Sequence, residues 1–168
     1  MVVEESVDQV LVGLKQAGID FVASLPSKSI APAVRAISFD SDIIHVPVAH
    51  EGDAIGICAG AAMAGKRPAI LMQNCGLMMA TYALLDTLYW FGGFPFLMVM
   101  DHRGAFGDNG GFIFHGYGVH VPRLLESFEI PFRIVEDADK VAAAIKQGAR
   151  SAEASGKPAA VLLTGEAL

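Results

Sequence analysis

Four polar pairs stand where apolar runs of this sequence end: Ser27-Lys28, His50-Glu51, Gln73-Asn74 and His102-Arg103. Together they offer a carboxyl group, two carboxamides, imidazoles that move protons near neutral pH, and two cations suited to an anionic group. Glu51 is the most informative of them. It opens a stretch in which Gly52, Gly56, Gly60 and Ala64 recur every fourth residue, a nearly side-chain-free stripe along one helix face. Each interior glycine costs about 1 kcal/mol relative to alanine, so the stripe points to close approach by another backbone or a ligand. An acid in a first helical turn also complements the helix dipole, worth a few tenths of a kcal/mol. The flanks give Glu51 a further meaning. Ile43-Ile44-His45-Val46 is strand-like and Pro47 breaks the chain, so Glu51 falls where a strand end meets a helix start. In parallel α/β sheets that edge binds ligands. His50-Glu51 opens like a zinc-protease helix, but Ala54 stands where the second histidine belongs.

The elements that must position these groups follow from hydrophobic periodicity. Residues 6–17 read as an amphipathic helix with Ser6 as N-cap, Val7, Val10, Leu11 and Leu14 on one face, and Gly18 as the stop. Strands are expected at 19–24, 43–46, 69–72, 96–100, 132–135 and 159–163. Helices are expected from the Ser27-Lys28-Ser29 turn to about Ser38, at 51–64, 77–90 and 122–129, and from Asp137, as N-cap, to about Ala154. Segment 77–90 is apolar nearly all round, which implies burial on more than one side, by the sheet and by a second subunit. Residues 104–118 carry six glycines with Phe106, Phe112, Phe114 and Tyr117, the composition of a substrate-contact or lid loop. Strands alternating with helices over 1–168 define a single α/β domain with a mostly parallel sheet covered on both faces. All four polar pairs should then gather on one edge.

Composition narrows the function. Hydrophobic residues make up 53% and charged residues 18% of the 168, against about 25% charged in an average soluble domain, so some apolar surface is expected to meet a partner. The net charge of −6 is spread without a basic cluster, which argues against nucleic acid and anionic membranes. The acidic start leads into an amphipathic helix rather than a signal peptide, and Gly92-Gly93 and Pro95 cut the apolar window 77–100 into a helix and a strand instead of a membrane span. The expected location is cytoplasmic. Cys58 and Cys75 lack CxxC spacing and read as reduced structural thiols. Neither GxGxxG after the first strand nor a Walker sequence occurs.

The block from Glu51 to Leu77 resembles the pyrimidine-binding (PYR) domain of thiamine diphosphate enzymes, in particular the sulfopyruvate decarboxylase alpha subunits and the corresponding half of phosphonopyruvate decarboxylases. The similarity continues through Asp101-His102-Arg103-Gly104, His115 with Gly118, and Pro122 to Pro131. It implies a three-layer α/β/α fold with a six-stranded sheet and a catalytic Glu51 that hydrogen-bonds N1′ of the cofactor's aminopyrimidine and sets its tautomer. It further implies that Gln73 and Asn74 line the pyrimidine or substrate pocket and that His115 is a lid histidine handling protons. Ser27, Lys28, His50, His102 and Arg103 become candidate substrate contacts. The GDG-to-Asn sequence that binds the diphosphate through Mg2+ in such enzymes does not occur here. The resemblance therefore implies a separate beta-type subunit carrying that motif, docked over the Gly-striped helix and segment 77–90, in a hetero-oligomeric 2-oxo acid decarboxylase. A carbon–carbon ligase of similar build and a non-catalytic regulatory subunit are the alternatives. One departure bears on the substrate: Cys75-Gly76-Leu77-Met78-Met79 stands where the relatives tend to have Ser-Gly-Leu-Gly-Asn, which also admits a larger or more apolar 2-oxo acid.

Overall fold

Three continuous apolar runs become interior strands: β3 (Pro68–Gln73), β4 (Leu97–Asp101) and β6 (Ala159–Leu163), with every residue buried except the half-buried Gln73. Runs without alternation are what a parallel sheet covered on both faces requires. In the structure, a computed structural model describing residues 2–105, 108 and 112–168, with side chains from residue 9 onward, they join β1 (Phe21–Ser24), β2 (Ile44–Pro47) and β5 (Phe132–Val135). Of the 104–118 segment, Phe106, Gly107 and residues 109–111 lie outside the described residues, as do the side chains of Ser6 and Val7.

The six strands run in the order β2-β1-β3-β4-β6-β5, and every pairing is parallel. Alternate residues feed two separate cores. Leu71, Leu97, Val99 and Val161 meet α1 (Val2–Gln16), α2 (Ala31–Ser38) and α7 (Val141–Ser155) on one face. Ile70, Met72, Met98, Met100 and Leu162 meet the opposite layer, built from α3 (Glu51–Met63), α4 (Asn74–Met79), α5 (Thr81–Leu85) and α6 (His115–Ser127). The chain leaves β1 toward β2 on one side and places every later strand on the other. A crevice therefore opens beyond the carboxyl ends of β1 and β3, the place where open α/β sheets bind ligands.

Several sequence expectations need correction. The first helix begins at Val2, so Ser6 lies within it rather than capping it. The helix expected from Leu77 begins three residues earlier, with Asn74 the first residue of α4 directly after β3. Segment 77–90 is a bent path, α4 then α5 then a π-helical turn at Asp86–Trp90; Thr81 and Thr87 donate to Leu77 O and Ala83 O four residues back, a bond that bends helices. The helix expected at 122–129 starts at His115 and carries Pro122 inside it. Asp137 makes no cap hydrogen bond and pairs with Lys140 instead, in a 3₁₀ turn that precedes α7. Gly156, at φ 67°, ends α7 in the left-handed conformation open to glycine.

Candidate active site

Glu51 is the first residue of α3, and His50 is its N-cap, with ring Nδ1 accepting from the Gly52 amide at 3.0 Å. The imidazole read as a substrate contact is thus engaged in starting the helix. The Glu51 side chain crosses to the head of α4 and lies directly on Gly76: a Cβ added there would stand 2.6 Å from Glu51 Cγ and 2.7 Å from Oε1. Only a glycine admits the carboxyl group at this place. The space on the other side of α3 is open. Gly52 and Gly56 join Pro47, Val48, Ala49, Asp53 and Ile57 around a shallow cleft of about 590 Å3, and a Cβ at Gly56 or Gly60 would meet nothing within 4 Å.

Two side chains beyond Glu51 sit at the β3–α4 junction. Gln73 is half-buried and its Oε1 accepts from Cys75 Sγ at 3.0 Å. Asn74 is fully buried; its Nδ2 donates to Arg103 O at 2.8 Å, its backbone amide donates to Asp101 Oδ1 at 3.2 Å, and its Oδ1 has no partner among the described residues. Burial, followed by the negative charges of Glu51 and Asp101, raises the Cys75 pKa and keeps it a thiol. Ser27, after β1, donates its hydroxyl to Asp101 Oδ2, and Lys28 beside it is exposed.

The β4 end differs from the sequence reading. His102 is 4% exposed, its Nδ1 has no partner among the described residues, and burial pushes its pKa down, partly opposed by Asp108. Arg103 pairs with Asp108 through Nε at 3.1 Å and stacks over Phe114 at 4.5 Å, so its charge is engaged in shaping its own loop. Gly104 and Gly118 close that loop by direct backbone contact: a Cβ on Gly104 would lie 1.7 Å from Phe114 O, and one on Gly118 2.0 Å from Gly104 O. His115 stands exposed at the head of α6, which makes it a helix-start residue rather than part of a loop. The residue that sequence reasoning missed is Asp101, fully buried where β1, β3 and β4 end. Its only signal was an acid closing an apolar run.

An acid laid on a glycine at the carboxyl edge of a parallel sheet, beside a helix with a glycine stripe, stands where open α/β proteins bind ligands. The chain belongs to the family described as thiamine pyrophosphate enzyme, N-terminal TPP binding domain, which matches residues 5–89. It is 39% identical over 133 residues to the sulfopyruvate decarboxylase subunit alpha of Methanothermobacter thermautotrophicus, covering 77% of each chain. The corresponding subunit of Methanococcus maripaludis is 31% identical, over 88% of this chain and 87% of that one. A phosphonopyruvate decarboxylase of Streptomyces viridochromogenes is 26% identical over 74% of this chain and 31% of its own length. Among solved structures, a 2-oxoglutarate:ferredoxin oxidoreductase from Magnetococcus marinus shares the fold with a TM-score of 0.70 at 18% identity, over 96% of this chain and 29% of that longer one. No helix among the described residues is long and apolar enough to cross a membrane.

Proposed function

We propose that this chain supplies the pyrimidine half of a thiamine diphosphate site shared with a second, diphosphate-binding subunit, and that the assembled enzyme decarboxylates a 2-oxo acid. The observation that carries the reading is the Glu51 carboxyl seated on bare Gly76 at the ligand-binding edge. The residues fit the pyrimidine end of the cofactor. Glu51 offers a carboxyl group to a ring nitrogen, the unpartnered Asn74 Oδ1 offers an acceptor to an amino group, and the glycine face of α3 leaves room for a flat ring. Thiamine diphosphate, when bound, supplies the electron-accepting centre that lets a bond next to a carbonyl break.

The chain's own contribution is to place and hold. Glu51 exchanges a hydrogen bond with the ring and fixes its tautomer. Lys28, the exposed cation at the β1 end, faces the anionic head of the substrate, while Arg103 stays with Asp108. His115, exposed at the head of α6, moves a proton on or off the product. The partner carries the GDG-to-Asn motif and its Mg2+, and the working form is a cytoplasmic hetero-oligomer. Its docking face is the glycine stripe of α3 with the exposed Met63, Met79, Tyr82, Trp90 and Phe91, large apolar side chains of the kind that partners cover. The names of the relatives direct the first substrates tried to sulfopyruvate and phosphonopyruvate.

The test is CO2 release from a panel of 2-oxo acids by this chain co-expressed with a neighbouring reading frame that carries GDG and a downstream Asn. Release that depends on thiamine diphosphate and Mg2+ is expected, falling at least about 100-fold in Glu51→Gln. The substitution should cost under about 1 kcal/mol of stability, because Glu51 otherwise only complements a helix dipole. Cofactor binding without release from any acid, or release that survives Glu51→Gln, would overturn the reading. A condensed hydroxyketone in place of a free aldehyde would move the enzyme to the ligases.

A further inference from the structure

Asp101 takes no part in the chemistry above, yet it is buried completely at the end of β4, in register with Gln73 of β3. Its two oxygens serve two different segments. Oδ2 accepts from the Ser27 hydroxyl in the turn that carries Lys28, and Oδ1 accepts from the Asn74 amide at the head of α4. The second bond satisfies a helix-start amide that Gln73, the N-cap residue, leaves without a side-chain cap. Two residues further on is Gly76, the seat of Glu51.

We propose that Asp101 is the positioning residue of this site, a single carboxyl group that ties the Lys28 turn to the Asn74–Gly76 segment on which Glu51 rests. The functional half of this inference rests on the pyrimidine-binding reading of Glu51; the structural half rests on the contacts alone. Both oxygens are already engaged, Oδ2 by the Ser27 hydroxyl and Oδ1 by the Asn74 amide, so the group is placed to hold these segments rather than to meet a ligand. A role in stability alone explains it poorly. Burial raises the Asp101 pKa against the opposing pull of Ser27, the Asn74 amide, Arg103 and Ser29, a desolvation cost that an apolar residue would not incur. What the carboxyl group provides instead is two acceptors a short fixed distance apart, which hold a turn and a helix start from distant parts of the sequence in one relative position.

The separate oxygens make the inference testable. Asp101→Ala removes both ties. Asp101→Asn keeps them, because the amide oxygen serves Asn74 and the Ser27 hydroxyl turns to accept from the amide nitrogen. Ser27→Ala cuts one tie. Amide hydrogen exchange on this chain is expected to quicken about tenfold or more over both 25–31 and 73–78 in Asp101→Ala, over 25–31 only in Ser27→Ala, and by less than about threefold in Asp101→Asn. In the assembled enzyme, Ser27→Ala should raise KM for the 2-oxo acid with thiamine diphosphate affinity unchanged, and Asp101→Ala should weaken both. Exchange quickened about tenfold over both segments in Asp101→Asn, or Ser27→Ala loosening both segments alike, would overturn the proposal, and both remain readable if Asp101→Ala fails to fold. A wild-type complex that binds no thiamine diphosphate refutes the functional reading whatever the exchange pattern. A complex that binds it equally well with Asp101→Ala refutes the positioning role.

Discussion

Gly76→Ala separates function from folding. Its Cβ would lie 2.6 Å from Glu51 Cγ, 2.7 Å from Oε1 and 3.0 Å from Cδ, where carbon atoms rest about 3.5–4.0 Å apart. Relief requires a shift of about 1 Å, and the atoms in the way belong to a flexible side chain rather than to backbone, so Glu51 moves and the fold stays. An off-rotamer glutamate costs about 0.5–1.5 kcal/mol, while alanine gains about 1 kcal/mol over glycine inside a helix. The two nearly cancel, and Tm should change by no more than about 4 °C in a chain of this size. Turnover is far more sensitive, since a misplacement of about 1 Å costs about 100-fold. The assay is CO2 release and thiamine diphosphate affinity of the assembled enzyme beside a thermal melt of the variant chain. The same substitution made on Glu51→Ala should add nothing, because the group it displaces is gone. Turnover within about threefold of wild type, or equal further losses in both backgrounds, would refute the reasoning.

Other outcomes follow from the same structure. Gly104→Ala sets its Cβ 1.7 Å from a carbonyl oxygen at φ 79°, a backbone clash with no flexible atom to yield; it should cost about 3 kcal/mol or more, read as a lower urea midpoint. Cys58 is fully buried with its thiol pKa pushed up to about 12, and that of Cys75 is raised as well; a chromogenic disulfide should label neither within minutes at pH 8 and both at once in denaturant. His45 has its pKa lowered by burial, so the unfolded chain binds the proton more readily. Its contribution to stability is complete above about pH 6.5 and fades as pH falls through the lower folded value. The urea midpoint of His45→Gln should therefore depend less on pH between about 7.5 and 5 than that of wild type.

The strands were legible because each is a short apolar run ended by a turn signal, and the predicted edge formed because parallel strands carry all their ends to one side. The place of Glu51 at a strand-to-helix junction was legible from the strand-like run 43–46 and Pro47 before it. What lies opposite a residue was hidden. Nothing near Asp101 in sequence says that Ser27 and Asn74 converge on it, since both contacts span at least 27 residues. The start of α6 was misplaced for a related reason. Gly116, Gly118 and Pro122 argue locally against a helix, yet Gly118 packs onto the Gly104 backbone and Val121 enters the core, which holds the turn in place. Arg103 looked available to an anion until Asp108 and Phe114 were seen around it.

The aromatic rim of the glycine stripe also bears on how such a protein is made. Trp90 is 82% exposed, Tyr82 77% and Phe91 70%, and a newly released chain carries this greasy surface until something covers it. On the two-chain reading, every molecule produced in excess of its partner is a candidate for aggregation or chaperone capture. Balanced synthesis of the two chains, side by side and in equal number, then becomes a condition of solubility. A cell that overproduced this half alone would lose it.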